Sequence, residues 1–176
     1  MTILSAQSIL KRKIITPCVP RTVIRGMTHG ISAAGYDVRI DFSKVRYGAY
    51  LMCRTRPDCP PEYGPPQYEG DFLLAATVEH FSMPDDVLGI VHDKSSWARK
   101  GLTVQNTVIE PGWRGYLTLE LTYHGPYEQE IALQHGDPIA QIVFHKLDKP
   151  TIFPYMGKYQ DQEAGPQAAR VEEFTS

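Results

Sequence analysis

Residues 93–120 read DKSSWARKGLTVQNTVIEPGWRGYLTLE, and this stretch brings cations, hydroxyls and carboxylates together on an apolar framework. In its last part, Tyr116, Thr118 and Glu120 alternate with leucines. A period of two is typical of a β-strand that packs one face into the core. The alternation therefore predicts that Glu120 lies on a polar face, opposite the packing face. We interpret the whole stretch as an anion-binding site with a carboxylate for proton chemistry.

Short strand-like segments continue outward from this stretch in both directions. They predict strands at Arg21–Ile24, Tyr36–Phe42, Tyr47–Arg54, Phe72–Glu79, Val87–Val91, Gln129–Leu133 and Ile139–Leu147. Leu102–Val108 and Trp113–Tyr123 flank a turn at Glu110–Gly112, which predicts a hairpin. Short helices are expected at Ala6–Lys11 and Ser95–Lys100. Roughly nine or ten strands with few helices predict an all-β sandwich or barrel-like fold.

The composition is that of an ordinary globular protein. The chain has 176 residues, of which 42% are apolar and 22% charged, so we expect one domain over residues 1–176. The formal net charge of −2 argues against a non-specific nucleic-acid binder. No apolar stretch approaches the length of a membrane span, so no membrane partner is expected. Three cysteines without close pairing indicate reduced thiols and a cytoplasmic setting.

Six short motifs follow one another along the chain and together suggest a family. They are AAGYD at 33–37, KSSWAR at 94–99, IEPGW at 109–113, LTLE at 117–120, GDPIAQ at 136–141, and the tail motif KYQDQ at 158–162 with Gly165, Pro166 and Arg170. In this order they resemble the dCTP deaminase branch of the trimeric dUTPase superfamily. The resemblance implies a distorted jelly-roll or β-barrel subunit of the dUTPase-like type with one or two short helices.

The resemblance also implies an activity and an assembly. The expected reaction is the zinc-independent hydrolytic deamination of dCTP to dUTP and ammonia in pyrimidine deoxynucleotide metabolism. A homotrimer would build its active sites at subunit interfaces, and residues 155–176 would form a tail that closes over the nucleotide. Mg²⁺ would arrive with the triphosphate, so no metal ligand is expected from the protein.

Site residues are carried over by motif position. In the catalytic group, Glu120 would shuttle protons, Arg99 would order the base and Glu120, and Ser95 would help to hold the attacking water. The expected substrate-binding residues are Lys94, Ser96, Asn106, Glu110, Trp113, Tyr155, Lys158 and Gln162. Among these, Lys94, Ser96, Lys158 and Gln162 would contact the triphosphate, and Glu110 the deoxyribose 3′-hydroxyl. Trp113, together with Tyr36, is expected near the sugar.

Zinc-dependent deaminases use a different signature, with an H-x-E motif and a P-C-x-x-C motif. Neither motif occurs in this chain, and its six histidines form no close ligand pair. A deaminase built on this sequence is therefore expected to work without zinc.

The match departs from the deaminase pattern in the same central stretch. Lys94 stands where arginine is usual, Trp97 where leucine is usual, and Glu110 where aspartate is usual. The segment between Arg99 and Pro111 is also shorter, and its form partly resembles the dUTPase hairpin. Two further hypotheses therefore stay open. The chain could release pyrophosphate from dUTP or another dNTP, alone or after deamination, with Glu110 orienting water; or it could be a non-catalytic regulatory trimer that binds nucleotides.

Overall fold

The computed structural model describes residues 2–41, 72–105, 107–125, 131 and 133–170. These residues form eleven strands and two short helices. In chain order the elements are β1 Thr2–Ile3, α1 Ala6–Arg12, β2 Ile15–Thr16, β3 Thr22–Ile24, β4 Met27–Ser32, β5 Gly35–Asp41, β6 Phe72–Ser82, β7 Val87–Asp93, α2 Ser95–Ala98, β8 Leu102–Val104, β9 Val108–Ile109, β10 Arg114–Tyr123 and β11 Pro138–Lys146. The prediction of an all-β fold with one or two short helices is confirmed. The predicted strand Tyr47–Arg54 lies outside the described residues.

All strand pairs in the described residues are antiparallel, and the central path runs β8-β10-β6-β5-β11-β7-β9. Strand β5 joins the two halves of this path. Its first part pairs with β11, from Tyr36 opposite Ile142 to Arg39 opposite Pro138. Its last two residues pair with β6, where Ile40 lies opposite Thr77. Strand β5 thus pairs first with β11 and then with β6, and it links the two halves of the curled sheet.

Strand β10 follows the predicted alternation. Leu117, Leu119 and Leu121 are buried in the core, while the residues between them are only partly buried. In the ladder with β6, Glu120 lies opposite Leu74. The prediction that Glu120 lies on the face opposite the packing face is confirmed, since the three leucines can be buried together only on one side of the strand.

The predicted hairpin between Leu102–Val108 and Trp113–Tyr123 is only half correct. Strand β8 does pair with β10, with Val104 opposite Leu121. Strand β9 pairs instead with β7, with Ile109 opposite Gly89. The buried side chain of Ile109 packs closely over Gly89, where an added Cβ atom would lie 3.2 Å from it.

A second difference concerns the predicted strand Gln129–Leu133. Ile131 and Leu133 lie outside any strand, and the other three residues of this segment lie outside the described residues. Ile131 is nevertheless buried, so its apolar side chain reflects packing in the core and not membership of a strand. Neither helix in the described part of the chain has the length and apolar character needed to cross a membrane.

Two buried ion pairs fix the centre of the curled sheet. The fully buried Glu79 on β6 accepts hydrogen bonds from the backbone N–H of Arg39 at 2.9 Å and from its Nε at 2.8 Å. Lys94, before α2, forms an ion pair with Asp37 on β5 at 2.9 Å. A buried charge is costly without its partner, so each pair ties its two elements together.

We expect Arg39→Met to lower the free energy of unfolding by about 3 kcal/mol, because it leaves the Glu79 carboxylate buried without its cation. Denaturant titration followed by circular dichroism measures this change. The control is Arg114→Met, which removes an exposed ion pair to Asp161 and should leave stability nearly unchanged. Equal effects of the two substitutions would contradict the assignment of Glu79 as a buried charge that depends on Arg39.

Candidate active site

A pocket of about 460 Å³ opens on the polar face of β10. Its walls come from β6, from β9 and the turn that follows it, from β10 itself, and from the C-terminal segment. The lining residues are Phe72, Leu74, Thr107, Val108, Ile109, Glu110, Trp113, Leu117, Thr118, Glu120, Tyr155, Tyr159, Gln162, Gln167 and Ala169. This volume lies in the range of sites that hold small molecules and cofactors. Five of the expected site residues meet here: Glu120, Glu110, Trp113, Tyr155 and Gln162.

Glu120 is half-buried in this pocket, between strands that hold its backbone on both sides. Its carbonyl accepts a hydrogen bond from the N–H of Gln105 at 2.8 Å, and its Oε2 accepts one from Thr107 Oγ1 at 3.3 Å. Burial raises the pKa of Glu120, although hydrogen bonds from its own N–H and from Thr107 act to lower it. A carboxyl group whose pKa is shifted toward neutrality can both accept and return a proton.

Glu110 contributes a second carboxylate to the same pocket, and its side chain is exposed. It opens the predicted turn before β10, where the N–H of Trp113 donates to the Glu110 carbonyl at 3.1 Å. The two acids therefore differ in environment: Glu120 is partly desolvated on a strand, and Glu110 stands in solvent on a turn. This difference suits them to different roles.

Residues 155–170 form one wall of the pocket by lying against β10. The indole Nε1 of Trp113 donates to the Tyr159 carbonyl at 2.7 Å. Gln162 makes a parallel bridge with Gly115, and its Nε2 donates to Thr118 Oγ1 at 2.6 Å. Any side chain at Gly115 would meet the backbone of Gln162 at 2.7 Å, so a glycine is needed for this approach. The tail is thus attached through backbone contacts as well as side chains.

The remaining tail residues hold the segment in shape. The N–H of Tyr155 donates to the Pro111 carbonyl at 2.8 Å, and its hydroxyl accepts from the N–H of Tyr159 at 3.1 Å. Lys158 is exposed and does not line the pocket; its ammonium donates to the carbonyl of Arg170. Tyr159 lies beneath both cations of this pair.

The residues of the KSSWAR motif do not line this pocket. Lys94 is 7% exposed, and its Nζ is 2.9 Å from both Thr28 Oγ1 and Asp37 Oδ2. The indole of Trp97 donates to the Pro138 carbonyl at 2.6 Å, which holds α2 against β11. The same short helix carries Ser95 and the half-buried Ser96, and Arg99 comes directly after it. None of these three residues lines the pocket.

Two further residues were expected at the site, Tyr36 and Asn106. Tyr36 is fully buried in the core, and its hydroxyl donates to the Pro17 carbonyl at 3.1 Å, so it does not line the pocket. Asn106 lies outside the described residues.

Sequence reasoning missed Thr107, Thr118 and Tyr159 as pocket residues. Thr118 could have been found, because it shares the polar face of β10 with Glu120. Thr107 could not, since its position follows from the crossing of the chain from β8 to β9. Leu74 and Phe72 line the pocket because they are the β6 residues opposite Glu120 and Thr122.

Comparison with known proteins gives consistent results. A family model described as dCTP deaminase-like matches residues 67–147. The dCTP deaminase of Campylobacter concisus strain 13826 is 36% identical over 169 residues, which are 88% of this chain and 88% of that protein. The dCTP deaminase of Campylobacter curvus strain 525.92 is 35% identical over 168 residues, which are 87% of this chain and 88% of that protein.

A solved structure agrees at the level of the fold. The 2′-deoxycytidine 5′-triphosphate deaminase from Agrobacterium tumefaciens superposes with a TM-score of 0.52 and 19% identity. The match covers 81% of this chain and 47% of that chain. This likeness concerns the fold alone, and it agrees with the curled all-β fold that the family resemblance implied.

We expect Thr118→Val to release the tail from β10, because the Thr118 hydroxyl accepts from Gln162 Nε2 and from the N–H of Gln167 at 3.1 Å. Both donors would lose their acceptor, so amide exchange over residues 159–170 should rise by roughly fivefold or more. Hydrogen exchange followed by mass spectrometry measures this. Thr122→Val is the control, since Thr122 lies on the same face of β10 and its hydroxyl accepts only from Gln105 among the described residues. Unchanged exchange in the tail of Thr118→Val would show that other contacts hold it.

Proposed function

This chain belongs to the dCTP deaminase family, and on that premise we propose that its pocket hydrolyses dCTP to dUTP and ammonia. It would thereby serve pyrimidine deoxynucleotide metabolism as a hydrolase acting on a nucleotide. The observation that carries this proposal is the half-buried Glu120 at a pocket of about 460 Å³, with its pKa raised by burial.

The reaction needs one group that moves protons several times. Water adds to C4 of the cytosine, N3 gains a proton, and the C4–N bond breaks as the amino group leaves as ammonia. Glu120 would take one proton from water and deliver it to N3, and would then carry the proton of the new C4 hydroxyl to the leaving nitrogen, which leaves a carbonyl at C4. A single carboxyl group can perform these transfers when its pKa lies closer to neutrality than that of an exposed glutamate.

Binding roles follow from position in the pocket. Trp113 would pack near the deoxyribose, and Glu110 would accept a hydrogen bond from its 3′-hydroxyl. Gln162 and Lys158 would contact the triphosphate from the tail, near the hinge at Tyr155. Closure of residues 155–176 over the nucleotide is supported by the tail residues that already line the pocket. Asn106 would contact the nucleotide.

Metal requirements are proposed from the donor residues present. Among the described residues, no group of three or more His, Cys, Asp or Glu side chains is arranged to hold a metal ion. Mg²⁺ would arrive with the triphosphate, where it would offset the phosphate charge. The lack of a zinc-deaminase signature in the sequence supports a zinc-independent reaction.

The pocket lacks the residues proposed to order the base and the water, and this supports a site shared between subunits. Ser95 is the first residue of α2 and Arg99 follows its last, and neither lines the pocket that holds Glu120 of the same chain. We place them in the pocket of a second copy, within a homotrimer. Ser96 would contact the triphosphate from the same helix. Lys94 would add its charge from a buried position, where Asp37 already balances it.

A second function is supported by Glu110. Its exposed carboxylate lies in the same pocket and could orient water toward the α-phosphate of dUTP or another dNTP. The protein would then release pyrophosphate, alone or after deamination.

We also propose a single domain over residues 1–176 and a cytoplasmic location, which the free thiol of Cys18 supports.

We expect the protein to release ammonia from dCTP in the presence of Mg²⁺, and Glu120→Gln to lower kcat by about a hundredfold or more because the amide cannot shuttle protons. Ammonia and pyrophosphate are assayed separately with dCTP and with dUTP as substrates. Glu110→Gln is the matched control, since it removes the other carboxylate of the pocket and should affect KM more than kcat for ammonia release.

The remaining outcomes separate the hypotheses. Pyrophosphate without ammonia, lost in Glu110→Gln, would replace deamination by pyrophosphate release. Nucleotide binding without either product would leave a regulatory trimer. Loss of ammonia release on treatment with a zinc chelator in excess Mg²⁺ would refute zinc independence.

We expect a mixture of Glu120→Gln and Arg99→Ala chains, unfolded and refolded together, to recover activity that neither variant has alone. In a mixed trimer, an intact Glu120 from one chain would meet an intact Arg99 from another. Ammonia release is compared with that of each variant refolded by itself. No recovery, despite mixed assembly shown by native mass spectrometry, would place Arg99 and Glu120 in the same subunit's site.

A further inference from the structure

The hydroxyl of Thr107 stands between two acceptors. Its Oγ1 lies 3.3 Å from Glu120 Oε2 and 3.3 Å from the carbonyl oxygen of Gln105. A hydroxyl group has one proton to donate and two lone pairs that accept. It can therefore donate to only one of these acceptors at a time. Which acceptor receives the proton should depend on whether Glu120 is charged.

The three groups are held in place by backbone hydrogen bonds. The N–H of Gln105 donates to the Glu120 carbonyl at 2.8 Å, which extends the β8–β10 ladder by one step. The carbonyl of Thr107 accepts from the N–H of Val91 at 3.0 Å, which attaches it to β7. The crossing from β8 to β9 thus carries Thr107 from one strand to the other and fixes its side chain beside Glu120.

We propose that Thr107 is a positioning residue whose hydroxyl follows the protonation state of Glu120. When Glu120 is ionised, Thr107 donates to Oε2. When Glu120 is protonated on Oε2, the acid donates to Thr107 Oγ1, and the Thr107 proton turns to the Gln105 carbonyl. The inference rests on the proposed function, because it gives the proton shuttle a hydrogen-bonded partner in both of its states.

Among the described residues around Glu120, Thr107 is the one placed to hydrogen-bond its carboxylate. The β6 residue opposite Glu120 is the apolar Leu74, and Phe72, which lies opposite Thr122, is apolar as well. The other titratable groups of the pocket are Glu110 on the turn after β9, and Tyr155 and Tyr159 on the tail. Among the described side chains, Thr107 is the one that hydrogen-bonds the Glu120 carboxylate. Removing its hydroxyl would leave that carboxylate without a side-chain donor.

The test compares Thr107→Val with Thr107→Ser in the full chain. Valine has the same shape without the hydroxyl, and serine restores the hydroxyl. We expect Thr107→Val to lower kcat for ammonia release from dCTP by roughly tenfold with little change in KM, because a hydrogen bond to a charged group is lost. The fall of kcat at low pH should move to higher pH, because the ionised form of Glu120 loses a hydrogen bond to a charged group while the protonated form loses only a weaker neutral one. Thr107→Ser should restore both values.

A second measurement does not depend on turnover. Carbon-detected NMR of protein labelled at the glutamate carboxyl carbons gives the pKa of Glu120, whose signal is identified by its absence in Glu120→Gln. We expect a higher pKa in Thr107→Val than in the wild-type protein, and the wild-type value in Thr107→Ser. Thermal melting checks that both variants are folded.

The outcomes distinguish a failure of the proposed function from a failure of the role proposed for Thr107. If the wild-type protein releases no ammonia, the proposed function fails, while the NMR titration still decides whether Thr107 supports the Glu120 carboxylate. If Thr107→Val keeps the wild-type pKa of Glu120 and the wild-type pH profile, the role of Thr107 is overturned. Low kcat in Thr107→Ser together with a normal pKa would also overturn it, since the hydroxyl would then be insufficient.

Discussion

The alternation of side chains along β10 is the constraint on which the rest of the site depends. Leu117, Leu119 and Leu121 fill the core, and burial of each such side chain stabilises the fold by about 2 kcal/mol. A shift of one residue in the ladder with β6 would expose all three and bury Glu120 among apolar groups. The register is therefore fixed by the core, and it holds the carboxylate on the pocket side.

The pocket is completed by two segments that leave regular structure to reach β10. The chain between β8 and β9 brings Thr107 beside Glu120. The tail reaches Thr118 and Gly115, which lie two and five residues before Glu120 on the same strand. Both segments are anchored by backbone hydrogen bonds, which fix position more firmly than side-chain contacts between long flexible groups. One strand thus organises both the proposed proton shuttle and the proposed closing segment.

The cation Lys94 and the two carboxylates of the pocket lie in different surroundings. Lys94 is held inside its own subunit by Asp37, so the KSSWAR helix is attached to β4, β5 and β11. The carboxylates Glu110 and Glu120 lie with the tail instead. The pocket of a single chain is thus lined by two carboxylates and by no residue of the KSSWAR motif, and this is the structural ground for proposing a site shared by subunits of a trimer.

The sequence alone determined the all-β class, the family, and the polar face that carries Glu120, because period-two patterns and local motifs depend only on neighbouring residues. It could also indicate the turn before Trp113. The tertiary structure decided that β9 leaves the hairpin to pair with β7 over Gly89, and that Thr107 thereby meets Glu120. It also decided that Lys94 is buried against Asp37. These contacts join residues far apart in the chain, and their geometry comes from packing, which no local pattern encodes.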